Sequence, residues 1–180
     1  MRVRLDLGCA ALLLTCWLGL IPGLGAQDKA PGKLPDFGDY PVKEIYQGKH
    51  ARARIVTAYQ KLFQTRIRES MDDDVNFAGH YVVATWGCGS GCMQFAVADA
   101  VSGRVYDPPM KSVAFHFGPD ADHGPQKYPD MVNVKPDSAL LVVEGCPSEG
   151  EKCGRFYYHF DHGRFILLHF DPDPPDAPAK

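Results

Sequence analysis

Cys88-Gly89-Ser90-Gly91-Cys92 is where residue types and spacing in this 180-residue chain come closest to chemistry. Two thiols this near could close a bridge, cycle as a redox pair or, when reduced, contribute to a metal site. A thiol oxidoreductase typically sets Cys-x-x-Cys at a helix N-terminus, where the dipole lowers the thiol pKa. Here three residues intervene and the flanks read as strands, so a structural bridge is expected and a thiol-redox factor is the alternative. Ser90 has glycines one position away and cysteines two away. The hydrolase elbow Gly-x-Ser-x-Gly needs the glycines two away, so the register is wrong for a nucleophile, and a hydrolase using this loop stands only as an alternative beside the thiol-redox factor. No catalytic residue is assigned.

The seven histidines are His50, His80, His116, His123, His159, His162 and His169. None falls in a ligand register such as His-x-x-x-His on a helix. His159 and His169 could face each other across the last hairpin. A metal-binding periplasmic protein is a further alternative, and the expectation is no metal and no cofactor. Aromatics offer another candidate surface. In Phe156-Tyr157-Tyr158 the alternation would turn Tyr157 and His159 outward, and exposed Tyr and Trp favour partner recognition. The candidate binding residues are therefore His80, Trp86, Ser90, Tyr157 and His159.

These residues need a compartment and a scaffold. Arg2 and Arg4 precede an apolar run from Leu7 to Leu20, and Pro22, Gly23 and Ala26 follow. That is the pattern of a secretory signal peptide over 1–26, cleaved after Ala26. Cys9 and Cys16 would leave with it. Cys88, Cys92, Cys146 and Cys153 would remain, an even count that in an exported chain predicts two disulfides. Four cysteines allow three connectivities. Cys88–Cys92 and Cys146–Cys153 are favoured because each pair brackets a short turn with Gly or Pro. Loops that short stabilise by roughly 2 to 2.5 kcal/mol each in the chain-entropy model.

The apolar leader is shorter than the ~20 residues that span a bilayer, so no membrane span is expected after its removal. The formal net charge is −3, and nothing suggests the clustered basic surface that nucleic acid requires. An unknown protein or small-molecule ligand is the expected partner, and the periplasm or the extracellular space the expected location.

Residues 27–41, rich in Pro, Gly and charge, read as an extended lead-in, and 42–170 as one domain. The tail 171–180 carries four prolines. It cannot form helix or inner strand and is expected to be disordered. Ile55, Val56, Tyr59, Leu62, Phe63 and Ile67 make one apolar stripe, predicting an amphipathic helix over 50–70. Arg52, Arg54, Lys61, Arg66 and Arg68 flank that stripe and read as a solvated face. From residue 77 the period becomes two, with strands expected over 80–86, 93–99, 104–107, 113–117, 139–144, 155–161 and 164–170. The fold class is α+β, one N-terminal helix packed on an antiparallel sheet of six or seven strands.

Phe77-Ala78-Gly79-His80-Tyr81, Trp86-Gly87-Cys88-Gly89 and the later Glu144-Gly145-Cys146 with Cys153 resemble a group of short exported bacterial proteins of unknown function. The resemblance covers roughly 50–170. It implies an exported domain with four paired cysteines and brings no activity with it. The reading is thus an exported disulfide-bearing domain, a non-enzymatic binding or envelope-accessory protein rather than an enzyme.

Overall fold

The computed structural model describes residues 33–89, 91–115, 130–148, 150 and 152–173. The predicted leader, residues 27–32 of the lead-in, the loop through His116 and His123, Ser90 and the end of the tail lie outside them. No helix among the described residues is long and apolar enough to cross a membrane.

The fold is α+β and mostly antiparallel sheet, with eight strands where six or seven were expected. Strands β1 (Tyr81–Gly89) and β2 (Cys92–Asp99) form the first hairpin. β3 (Val105–Tyr106) and the two-residue β4 (Val113–Ala114) share the free edge of β2, at opposite ends of it. β5 (Val132–Lys135) and β6 (Ser138–Pro147) form a tight hairpin. β7 (Gly154–Asp161) and β8 (Arg164–Pro172) complete the order β1-β2-β4-β6-β7-β8. The extra strand is β5, which the loop-like Pro and Asp around it disguise; β4 takes up Val113–Ala114 of the expected 113–117, whose last two residues lie outside the described ones. The tail prediction is corrected at Asp171 and Pro172, which close β8. An edge strand tolerates a proline because its outward N–H needs no partner.

β1, β2, β6 and β7 bury both faces, so each alternate set of side chains has its own apolar layer. Val83, Phe95, Val97, Leu141, Val143, Tyr158 and Phe160 point into the central core with Phe77 and Met131. The rings of Tyr81 and Phe160 meet edge-on at 4.9 Å. On the outer face of β1 and β2, Ala84, Trp86, Ala96 and Ala98 meet Ile67, Met71, Tyr59 and Phe63. On the outer face of β6 and β7, Leu140, Val142 and Tyr157 meet Phe37 and Tyr40. Fully burying a side chain such as Phe95 contributes roughly 1.5–3 kcal/mol.

The single helix predicted over 50–70 is not found. Two short helices stand there instead, α1 (Ala58–Leu62) and α2 (Gln64–Glu69), followed by a 3-10 turn at Ser70–Asp72. Thr57 starts α1 through a capping box. Its hydroxyl accepts from the Gln60 N–H, and the Gln60 side chain accepts from the N–H groups of Val56 and Thr57. Upstream of Thr57 the chain is an extended strap in which Ala51, Ala53 and Ile55 turn inward and Arg52, Arg54 and Val56 outward. That is period two, which the helical reading overlooked. The predicted stripe loses Val56 and Leu62, which are exposed.

The part of the lead-in that is described, 33–41, is not simply extended. It forms a capped 3-10 turn at Phe37–Asp39 and docks beside β6. The Ser138 hydroxyl donates to the Phe37 carbonyl, and the Ala139 N–H to the Tyr40 carbonyl.

Candidate functional site

The β1–β2 hairpin presents two candidate regions, one at each end. At its tip Cys88 is bonded to Cys92, with Cα atoms 5.1 Å apart. Gly87, Cys88 and Gly89 are exposed around a bulge. Cys146 is bonded to Cys153, with Cα atoms 4.2 Å apart. The two bridges are neighbours. Cys92 pairs with Ala114 of β4, and Ala114 pairs on its other side with Cys146. Two strand spacings therefore separate Cys92 from Cys146, roughly 10 Å. The close seating of β4 explains Gly145, whose φ is +133° and where a side chain would fall on the Ala114 carbonyl. The Phe115 N–H donates to the Gly91 carbonyl at 2.6 Å, and the Ser148 N–H to the Ser112 carbonyl at 2.8 Å. Nearby, Arg155 donates to Glu144 at 3.1 Å.

At the opposite end the hairpin begins at Phe77–Tyr81, a turn closed by reciprocal backbone bonds between Phe77 and Tyr81. Ala78 and Gly79 take positive φ there, so the Ala-Gly pair sets the turn while Phe77 and Tyr81 anchor it in the core. His80 Nδ1 lies 3.1 Å from Asp99 Oδ1. The same carboxylate accepts from the Ser102 hydroxyl at 2.6 Å and from the N–H groups of Val101 and Ser102. Burial pushes the Asp99 carboxyl up, but these hydrogen bonds outweigh it and hold it below its ordinary value. An ionised carboxylate only accepts, so His80 carries its proton on Nδ1 and leaves Nε2 open.

The strap from Glu44 to Arg54 crosses this end. It is held by bonds from the Tyr46 N–H to Gly79, the Ala51 N–H to Ala100 and the Arg54 N–H to Gly103. Three hollows follow it. One of about 390 Å³ is lined by Glu44, Tyr46, Gln47, His80 and Val101. A second of about 350 Å³ lies between Tyr46, Gln47, His50, Asp74 and Pro136. The third, of about 450 Å³, lies between the strap and the end of α2. His50 borders the last two and donates from Nδ1 to the Met71 carbonyl at 2.9 Å.

The candidate residues are dispersed. His80 sits at the start of β1 and Cys88 near its end, roughly 25 Å apart along the strand at ~3.3 Å per residue. His80 therefore does not join the thiols of the redox alternative. Trp86 is not an exposed contact. It is buried under Tyr59 and Phe63 and donates from its indole N–H to Gln94 at 3.0 Å. Tyr157 is buried too, and His159 stacks on Tyr40 at 5.1 Å. The face predicted to show them outward is the one the N-terminal segment covers. His159 and His169 do not face each other: the register running from the Asp161–Arg164 turn sets His159 opposite Ile166, and a bulge between Tyr157 and Tyr158 sets His169 opposite Tyr157. Ser90 lies outside the described residues. Among those described, no three His, Cys, Asp or Glu side chains gather closely enough to hold a metal ion.

Sequence reasoning missed the Gln60 network. Gln60 is fully buried and donates to the Val105 carbonyl and, at 2.7 Å, to Asp107. Thr57 donates to the same carboxylate at 3.0 Å, and the neighbouring Tyr59 hydroxyl donates to the Phe95 carbonyl. Burial, then the Asp107 charge, raises the Tyr59 pKa. The available signal was Thr57-x-x-Gln60, a capping box in sequence. No protein-family model matches the chain, and neither a curated protein nor a solved structure shows significant similarity to it.

Proposed function

We propose that this chain is an exported, non-enzymatic binding or envelope-accessory domain that uses the disulfide-bearing end of its sheet as the contact surface. We also place it with the exported bacterial proteins that it resembles in Phe77–Tyr81 and its cysteine pattern. The observation that carries the reading is the adjacency Cys92–Ala114–Cys146. Two loops far apart in sequence are pinned side by side, each by its own bridge, on either side of β4. Rigid display loops suit recognition because little conformational freedom is lost on contact. The predicted leader and the paired cysteines suit an oxidising compartment outside the cytoplasm.

The test is in two parts. Intact mass of the protein purified from its native compartment should fall below that of the reduced chain by about four hydrogens, two per bridge. Free thiols there would overturn the pinned-loop reading in favour of the thiol-redox alternative. A photo-crosslinking residue placed at the exposed positions Gly87 or Lys152 should then give a discrete adduct in the exporting cell. The same residue at Val56 or Val101, by the opposite end, should not. Adducts from the control positions alone, or none anywhere, would overturn the assignment of the surface.

A further inference from the structure

The hollow between the strap and the end of α2 is cationic on a chain that is acidic overall. Its lining brings together Lys49, Arg52 and Arg68 with His50, Met71 and Asp72. The cations come from separate segments, Lys49 and Arg52 from the strap and Arg68 from α2. Among the described residues, the Lys and Arg ion pairs engage Lys33, Arg66, Arg155 and Arg164. Lys49, Arg52 and Arg68 join none of them. With Asp72 offsetting one of these three charges, the concavity keeps a net positive charge that an anion would neutralise.

The backbone under these side chains is fixed. The Ala51 N–H and Arg54 N–H bonds to the 99–103 turn hold Arg52 from both sides. Gly103, with φ +73°, lets the strap lie so close that any side chain there would fall on the Arg52 carbonyl. The hollow also has acceptors. A carbonyl cannot donate, so the bond to Met71 places a proton on His50 Nδ1, and in the neutral imidazole Nε2 is then an acceptor. Asp72 is a second acceptor.

We infer that this hollow binds a phosphate monoester or free phosphate, with Arg52, Arg68 and Lys49 as the charge partners. Guanidinium forks match the oxygens of a tetrahedral oxyanion, and an ammonium adds a point charge. Asp72 and His50 Nε2 set the class more narrowly. Inorganic hydrogen phosphate, and a monoester in its monoprotonated form, carry a proton to donate to an acceptor, whereas sulfate carries none and meets only repulsion from Asp72. The site lies at the opposite end of the β1–β2 hairpin from the bridges, so it stands or falls independently of the contact surface proposed above.

The experiment is calorimetric titration of the full mature protein with inorganic phosphate and with sulfate. In parallel, the protein is sedimented with phosphatidylcholine vesicles with and without phosphatidic acid, which exposes a phosphate monoester. Saturable binding is expected, with phosphate preferred over sulfate by about tenfold. R52Q and R68Q should each weaken it by about tenfold or more, the loss of a charge-assisted contact. R66Q, which removes the partner of Glu69 outside the hollow, should stay within about twofold, and thermal melting checks that all three variants fold. Binding to free phosphate assigns a soluble ligand, and binding only to the phosphatidic acid vesicles assigns a headgroup. Either supports the site. Binding to neither, equal affinity for sulfate, or an R66Q loss as large as that of R52Q would overturn it.

Discussion

At the tip of the β1–β2 hairpin the chain is held by covalent bonds, and at its base by hydrogen bonds and close backbone contact. The tip is exposed, glycine-rich and short of packed side chains, so Cys88–Cys92 and Cys146–Cys153 supply what burial does not. The base is the reverse. Phe77 and Tyr81 are buried, Asp99 is saturated with donors, and the strap is clamped against Gly79 and Gly103. The base carries three concavities bordered by charge. A disulfide fixes a loop locally without needing a core, which suits a surface meant to meet another surface. A hydrogen-bonded strap leaves hollows between chain segments, which suits a small ligand.

The sharpest way to break this contrast is at Gln60, which ties the strap, α1 and Asp107 together. Gln60→Ala strands the Val56 and Thr57 N–H groups and the Val105 carbonyl and takes one of two donors from Asp107, and unfolding in urea should show a loss of about 3 kcal/mol. A loss below about 1 kcal/mol would mean the strap is not held by this network. Gly103→Ala comes next, because the new methyl meets the Arg52 carbonyl at a left-handed backbone. The same assay should give about 2 kcal/mol, together with a lower melting temperature.

Cys88→Ala with Cys92→Ala should cost a similar amount, about 2 kcal/mol in the loop-closure model. Amide exchange should then speed up around residues 87–93 and stay unchanged at the strap. Equal acceleration at both ends would erase the distinction between them.

The smallest effect is the acid limb. The Asp99 carboxyl titrates below its ordinary value in the folded protein, so the unfolded chain takes up that proton first. The stabilisation is complete above about pH 4 and is lost as pH falls through the folded value. Asp99→Asn should therefore flatten the decline of melting temperature below about pH 4, and an unchanged acid limb would remove Asp99 from the account.

The strands were legible wherever alternation met turn chemistry. Ser102-Gly103 and His162-Gly163 both mark real turns, each with its glycine at positive φ. Both bridges were legible from the short turns they bracket. The helix over 50–70 was misread because Ala-Arg-Ala-Arg-Ile-Val-Thr satisfies a 3.6 period loosely and a 2.0 period strictly. The choice between them rested on Thr57-x-x-Gln60, which went unused. The burial of Trp86 and Tyr157, and the cover over His159, was not legible. It depends on which distant segment covers each sheet face, and local periodicity carries no information about that. The convergence of Lys49, Arg52 and Arg68 is hidden for the same reason: Arg52 and Arg68 read in sequence as flanks of one helix, Lys49 falls outside it, and nothing local says that two segments bring them together.

The docking of the N-terminal segment sets an order of events as the chain is made. The Phe37 carbonyl waits for a hydroxyl 101 residues downstream, on Ser138, and Val42 waits for Asp137. A chain emerging N-terminus first therefore displays Phe37 and Tyr40 uncovered until β6 and β7 arrive to receive them. Closure of that layer is a late step, governed by how soon the C-terminal half appears. A chain truncated before residue 138 would leave its earliest apolar residues without a seat, open to proteases and chaperones.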